Sequence, residues 1–199
     1  MKIVITGSHG VGKTTLGKQI FQYIQSEENK IDIINEFTIE KASLSKIFSG
    51  RKKYNYLPDV AIEAFNSGFS ISEDTSLETE LWIISKQVEL ENKFFDNYVT
   101  DKCFIDLLAY GIYIFKDNSA LIEILKQIAI PHMHKYDLVI YLPTGEFPIE
   151  DNGIRSLDPV FQQEIDRVIL EIMKENNIPY HRISGSKEER YEQILKLIK

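Results

Sequence analysis

Cysteine is all but missing. Cys103 is the single thiol in 199 residues, so no intrachain disulfide can form and a reducing, cytoplasmic setting is expected. Long apolar runs are missing as well. Ile3-Val4-Ile5 stops at Thr6-Gly7, too soon for a secretory signal, and no stretch reaches the roughly 20 apolar residues of a membrane span. Positive charge is in deficit: 23 Lys and Arg stand against 30 Asp and Glu, a formal net charge of -7. That balance argues against a surface that coats nucleic acid. Internal repeats and low-complexity tracts are lacking too. The remainder is ordinary, 43% hydrophobic and 27% charged, which suits one domain over 1–199 with a core that needs no staples.

One stretch stands out, residues 3–15, Ile-Val-Ile-Thr-Gly-Ser-His-Gly-Val-Gly-Lys-Thr-Thr. Three β-branched residues in a row predict a short buried strand. Gly7 then opens the spacing Gly-x-x-x-x-Gly-Lys-Thr, a phosphate-binding loop. Glycines Gly7, Gly10 and Gly12 let the backbone approach a phosphate, and the N–H groups from Ser8 through Val11 to Thr15 can point at its oxygens. Lys13 brings a charge to the β- and γ-phosphates, and the Thr14 hydroxyl completes the shell of a Mg²⁺ ion. The helix that starts near Lys13 directs its positive end at the same anion. His9 lies in this loop, with its ring expected to face solvent.

Further along, apolar periodicity predicts a helix from the loop to about Ser26, on Leu16, Ile20 and Ile24. Lys30-Ile31-Asp32-Ile33-Ile34-Asn35 reads as a second strand ending at Glu36, and residues 38–48 as a short helix. Arg51, Lys52 and Lys53 form a basic turn, and Pro58 introduces another short helix. A long helix follows from about Ser76, with Leu77, Leu81, Ile84 and Val88 as its core face. Gln87 is the lone polar residue on the neighbouring stripe Ile83, Leu90, Phe94. Asn97 to Asp101 and Asp137 to Leu142 are strands, and Cys103 to Phe115 is a buried helix. Ser119 to about Lys135 is a helix with Pro131 as a point of breakage. Asp158-Pro159 is a helix start, Pro179 to Ile183 a last strand, Gly185 a turn and Glu188 to Ile198 a closing helix. Strands alternating with helices imply an α/β fold with a parallel sheet covered on both faces. Its ligands sit beyond the carboxyl ends of the strands.

Several polar residues then fall on one expected rim. Asp101, at a strand end, is placed to hold Mg²⁺ with Thr14. Glu36 is placed to take a proton from an acceptor hydroxyl, or to hold a metal-bound water. Gln87 is a candidate contact for the acceptor's base, and Asp106, one turn past Asp101, for the site or its substrate. Arg155 lies in a loop over about 144–157 that could close over the phosphates.

These stretches resemble a family. The loop Gly7 to Thr15, the strand-end Glu36, the stretch Thr100-Asp101 through Ile105-Asp106-Leu107-Leu108-Ala109-Tyr110, and Asp151-Asn152-Gly153-Ile154-Arg155-Ser156-Leu157-Asp158 are similar to the small P-loop kinases. The nearest likeness is to the ribosylnicotinamide kinase domain of bacterial NAD-biosynthesis regulators and its AAA-like relatives, and more distantly to thymidylate and deoxynucleoside kinases. The resemblance implies the P-loop NTPase fold with a five-stranded parallel sheet, ATP with Mg²⁺, and a nucleoside or nucleotide acceptor. It also sets Gly185 and Ser186 near the adenine. Asp101-Lys102-Cys103 departs from the Asp-Arg-Ser or Asp-Arg-Tyr of the latter kinases. The expected activity is γ-phosphoryl transfer, with a nucleoside hydroxyl ahead of a monophosphate as acceptor. The rival of another class is a non-enzymatic ATP-binding switch. Neither nucleic acid nor membrane is an expected partner, and a homodimer is left open.

Overall fold

Alternate residues of the first strand face opposite ways, and that alternation builds two cores. In the computed structural model β1 is Lys2–Thr6, with Ile3, Val4 and Ile5 all fully buried. Ile3 and Ile5 join Leu16, Ile20, Val99, Ile140 and Ile194 on one side of the sheet, while Val4 joins Tyr98, Val139, Phe104 and Phe161 on the other. A strand buried on both faces belongs to a parallel sheet between helical layers. The structure describes residues 1–38 (27–38 as backbone alone), 54–151, 153 and 155–198.

The remaining elements are α1 (Lys13–Thr38), β2 (Asn55–Leu57), α2 (Val60–Asn66), α3 (Leu77–Lys93), β3 (Tyr98–Thr100), α4 (Phe104–Ile114), α5 (Ser119–Met133), β4 (Leu138–Tyr141), α6 (Pro159–Glu175), β5 (His181–Arg182) and α7 (Lys187–Ile198). The sheet runs β2-β3-β1-β4-β5 with every described pair parallel, and Val4 lies level with Thr100 and Val139. α1 and α7 cover one face; α4, α5 and α6 pack together on the other. Five strand ends therefore open on one rim.

Most predicted elements form, Asp158 caps α6 through Val160 N–H as its Asp-Pro start requires, and α5 runs through Pro131 unbroken. Two expectations fail. Residues 30–35 are not a strand, because α1 continues through them to Thr38. No glycine or proline separates Ser26 from Glu36, and a short apolar run such as Ile31, Ile33 and Ile34 fits a continuing helix as well as a strand. The second strand is the three-residue Asn55–Leu57, which pairs with β3. The helix expected over 38–48 and the basic turn Arg51-Lys52-Lys53 fall outside the described residues beyond Thr38.

The face of α3 is the second correction. Leu77 and Leu81 are exposed, whereas Thr79, Glu80, Ile83, Ile84, Gln87 and Glu91 are buried. Ser76 caps the helix by accepting the Thr79 N–H at 3.2 Å. Its inward face carries two carboxylates, which an apolar count assigns to solvent.

Candidate functional site

Gly7 sits at φ +147°, and a Cβ there would lie 2.5 Å from the Leu142 carbonyl oxygen. Only glycine lets the chain turn this close to the end of β4. Asp106, fully buried on α4, fixes the start of the turn by accepting from Thr6 Oγ1 and Gly7 N, each at 3.0 Å, and from Cys103 N at 3.1 Å. It braces the loop from behind and lines neither cavity described below.

Lys13 is buried within the loop. Its Nζ donates to the Gly7 and Ser8 carbonyls at 2.5 and 2.6 Å. Burial lowers its pKa to about 8; Lys102 and Arg155 push the same way, against Asp106 and Asp59. A phosphate would give the ammonium a far better partner than two carbonyls.

His9 is a correction. Its ring is buried, between Tyr110 and Phe161. Tyr110 Oη accepts from the His9 backbone N–H at 3.2 Å and meets Nδ1 at 2.9 Å. Nε2 has no hydrogen bond that meets geometric criteria among the described residues, although the Ser156 backbone is near enough to favour the charged ring. Burial, then the charges of Lys13, Lys102 and Arg155, lower the ring's pKa to about 4 and keep it neutral.

Asp101 follows β3, and both of its carboxylate oxygens are buried without a hydrogen bond that meets geometric criteria among the described residues. Burial raises its pKa and Asp59 adds to this, while the nearby Thr14 and Tyr56 hydroxyls and Lys13 pull it back. A buried carboxylate left this way lacks a cationic partner. Among the described residues no group of three or more His, Cys, Asp or Glu could cage a metal. The donor set is one carboxylate and one threonine hydroxyl beside a phosphate cradle, which fits Mg²⁺, an ion that keeps waters and takes ligands from phosphates.

Two cavities flank Lys13. The larger, about 350 Å³, is lined by Gly10, Gly12, Thr14 and Thr15 of the loop, by Phe147 to Glu150 after β4, and by Lys187 and Arg190 of α7. The smaller, about 50 Å³, is lined by His9, Asp59, Glu80, Lys102 and Tyr110 among Ile71, Ile83, Leu107 and Ile114. Lys13, Ile62 and Arg155 line both. Arg155 donates to Asp59 Oδ2 at 3.2 Å, and Ser156 next to it hydrogen-bonds Glu73, so the loop after β4 is docked over the small cavity.

Other expected residues find different places. Glu36 lies in α1 and loses the strand-end position that recommended it. Asp59 holds that position, two residues past β2, and caps α2 through the Ala61 N–H at 2.9 Å. Gln87 is buried and donates to Glu91 at 2.8 Å and to the Lys102 carbonyl at 3.2 Å, and it lines neither cavity. Gly185 turns at φ +103° and Ser186 caps α7, but Lys187 and Arg190 are the residues there that reach the large cavity. Arg190, 2% exposed, donates to Val11 O at 2.7 Å, Gly185 O at 3.1 Å and Glu146 Oε2 at 2.6 Å, and lies over the Phe147 ring.

Asp59, Glu80, Lys102 and Arg190 escape a reading by pattern. Asp59 was hidden by the misplaced second strand, although Leu57-Pro58-Asp59 is itself a strand-stop signal. Glu80 was hidden by the apolar stripe beside it.

Comparison with known proteins follows the same lines. Solved structures that superpose over 100% of this chain and 98% of their own include thymidylate kinase from Ehrlichia chaffeensis, with a TM-score of 0.60 and 15% identity. Deoxyadenosine kinase from M. mycoides with bound dCTP gives 0.63 and 16%, and with bound dATP 0.62 and 15%. At such identity the likeness establishes the fold, a P-loop α/β sheet. No curated protein matches the chain by sequence. The family model for an AAA domain matches residues 2–190. With its phosphate loop braced at a sheet rim and its match running nearly end to end, the chain belongs to the AAA domain family of P-loop proteins.

Proposed function

We propose that the protein is an ATP-dependent kinase that transfers the γ-phosphoryl group to a nucleoside or nucleotide, a nucleoside hydroxyl being the favoured acceptor. One observation carries the reading: the two cavities meet at Lys13 and Arg155, with a carboxylate, Asp59, on the far side of the junction. A phosphoryl group passing between two substrates needs a donor pocket, an acceptor pocket and cations where they join.

The larger cavity takes ATP. The loop N–H groups and the start of α1 hold its phosphates, and Lys13 leaves the Gly7 and Ser8 carbonyls for them. Thr14 and Asp101, directly or through water, would hold Mg²⁺. The ion supplies charge neutralisation across the β- and γ-phosphates. In the small cavity Asp59 accepts a hydrogen bond from the acceptor hydroxyl. The hydroxyl oxygen bonds to the γ-phosphorus, the bond from phosphorus to the β–γ bridging oxygen breaks, and the hydroxyl proton passes to Asp59 as ADP forms. Arg155 turns from Asp59 toward the transferring group and offsets its charge.

A monophosphate acceptor has one observation in its favour. Lys102, a buried cation, lines the acceptor cavity; burial works against its charge, but Asp59, Tyr110 and Asp106 outweigh that and raise its pKa. ADP release with ATP·Mg²⁺ against ribo- and deoxynucleosides, their monophosphates and nicotinamide riboside tests the reading. Turnover with nucleosides that Asp59→Asn abolishes supports it. Monophosphate turnover lost in Lys102→Ala but kept in Asp59→Asn replaces the acceptor. ATP turnover indifferent to every acceptor leaves the switch.

A further inference from the structure

Glu80 is 2% exposed, lines the small cavity, and its Oε1 has no hydrogen-bond partner among the described residues. It makes no ion pair with them either, although Lys102 is close enough to favour its charged form. Space for it is deliberate in the packing. A Cβ on Gly111 would stand 3.1 Å from Oε1 and 2.6 Å from Leu125 Cδ1, so a glycine on α4 lets the carboxyl sit against that helix. An unpaired buried carboxyl is costly and is kept where a ligand completes it.

The surroundings narrow that ligand. Glu80, Ile83, Leu107 and Ile114 border only the small cavity, whereas Lys13, Ile62 and Arg155 border both. Glu80 therefore belongs to the small cavity alone, among aliphatic side chains that suit the faces of a flat ring rather than a sugar. A carboxylate there accepts; it calls for an N–H.

We propose that Glu80 determines acceptor specificity, its buried carboxylate taking a hydrogen bond from the amino group of the acceptor's ring, so that the substrates are nucleosides of amino-bearing bases. The inference rests on the kinase reading for which pocket the acceptor fills. Burial raises the Glu80 pKa to about 7, and a ligand N–H would draw the group into its ionised form.

The test uses pairs that differ by the amino group without added bulk: adenosine with purine riboside, and cytidine with pyrimidin-2-one riboside. Each is measured by ADP release and, with a non-hydrolysable ATP analogue and Mg²⁺, by calorimetry. The full-length protein should favour the amino member of at least one pair by tenfold or more in kcat/KM and in affinity. Glu80→Leu should bring that ratio to within about threefold, and Glu80→Gln, whose amide oxygen still accepts, should keep much of it. Thermal melting confirms that each variant folds, with the glutamine variant standing in if the leucine one does not. Equal handling of both members by the wild type, an amino preference that survives in Glu80→Leu, or no nucleoside binding at all overturns the proposal. If nucleosides bind with a Glu80-dependent preference but no ADP appears, the specificity stands and the kinase reading falls.

Discussion

The two cavities are built of different material. The larger is built around the phosphate-binding loop, with Gly10, Gly12 and the start of α1 in its lining and an open volume of about 350 Å³. The smaller is about 50 Å³, and its lining includes the buried polar side chains of His9, Asp59, Glu80 and Lys102. Backbone amides recognise any phosphate, because their geometry is set by the turn and not by residue type. Side-chain groups sealed from water discriminate, since each unpaired one makes a poorly matched ligand costly. On the proposed kinase reading the donor side is thus generic and the acceptor side selective. Lys13 and Arg155, which border both, are where the two kinds of recognition meet.

The sharpest way to break this comparison is at the shared lysine. Lys13→Ala should cut kcat/KM by about a thousandfold, while calorimetry shows acceptor affinity little changed. The fold should persist, because the substitution removes a desolvated charge; loss of acceptor affinity as well would mean that the cavities are not separable. Asp59→Asn should cost about a hundredfold in kcat with ATP affinity near wild type. A larger fall in ATP affinity would move Asp59 to the donor side.

What the sequence made legible divides along the same line. The donor side was readable, since Gly7, Gly12, Lys13 and Thr14 form a motif whose spacing is its geometry, and Asp101 ends a strand that declares itself. The acceptor side was not. Asp59 depends on knowing that β2 is Asn55–Leu57, three residues too few for a periodic signal. Glu80 occupies the buried face of α3 beside a more apolar stripe, and apolar counting chooses the wrong face when an inward residue is polar. His9 needed Tyr110 and Phe161 to turn its ring inward, contacts about a hundred residues or more away in the chain.

A third effect is one of stability. In the unfolded chain Glu80 ionises near its ordinary value of 4.5, but in the fold it keeps its proton to about 7. Stability is therefore lost as pH rises from about 4.5 to 7, and the cost is complete above that. Glu80→Gln should stabilise the ligand-free protein by on the order of 2 kcal/mol at pH 8, with the gain vanishing toward pH 4. Lys102 faces the carboxyl across the cavity and keeps the effect from being larger. His9 works in the opposite sense over nearly the same window, since a ring held neutral down to about 4 withdraws stability as pH falls below 6.5. Urea midpoints of the variant and the wild type from pH 4 to 8 separate the two; a pH-independent difference would deny the carboxyl its unpaired state.

The smallest effect is expected at Arg190. It ties Val11, Gly185 and Glu146 together on the wall of the large cavity, so Arg190→Ala should raise the KM for ATP by about tenfold, within the reach of a lost buried charge-assisted contact. Acceptor KM should stay within about twofold, and a change there would blur the division between the sides.

The brace formed by Asp106 has a consequence for motion. It fastens the first turn of the phosphate loop to the start of α4, the helix that also supplies Leu107, Tyr110 and Ile114 to the acceptor cavity. The cradle and one wall of the small cavity are thereby held by a single carboxylate on a single helix. In deuterium exchange the Gly7 amide should be among the last in the molecule to lose its proton, and early exchange there would show that the brace does not hold.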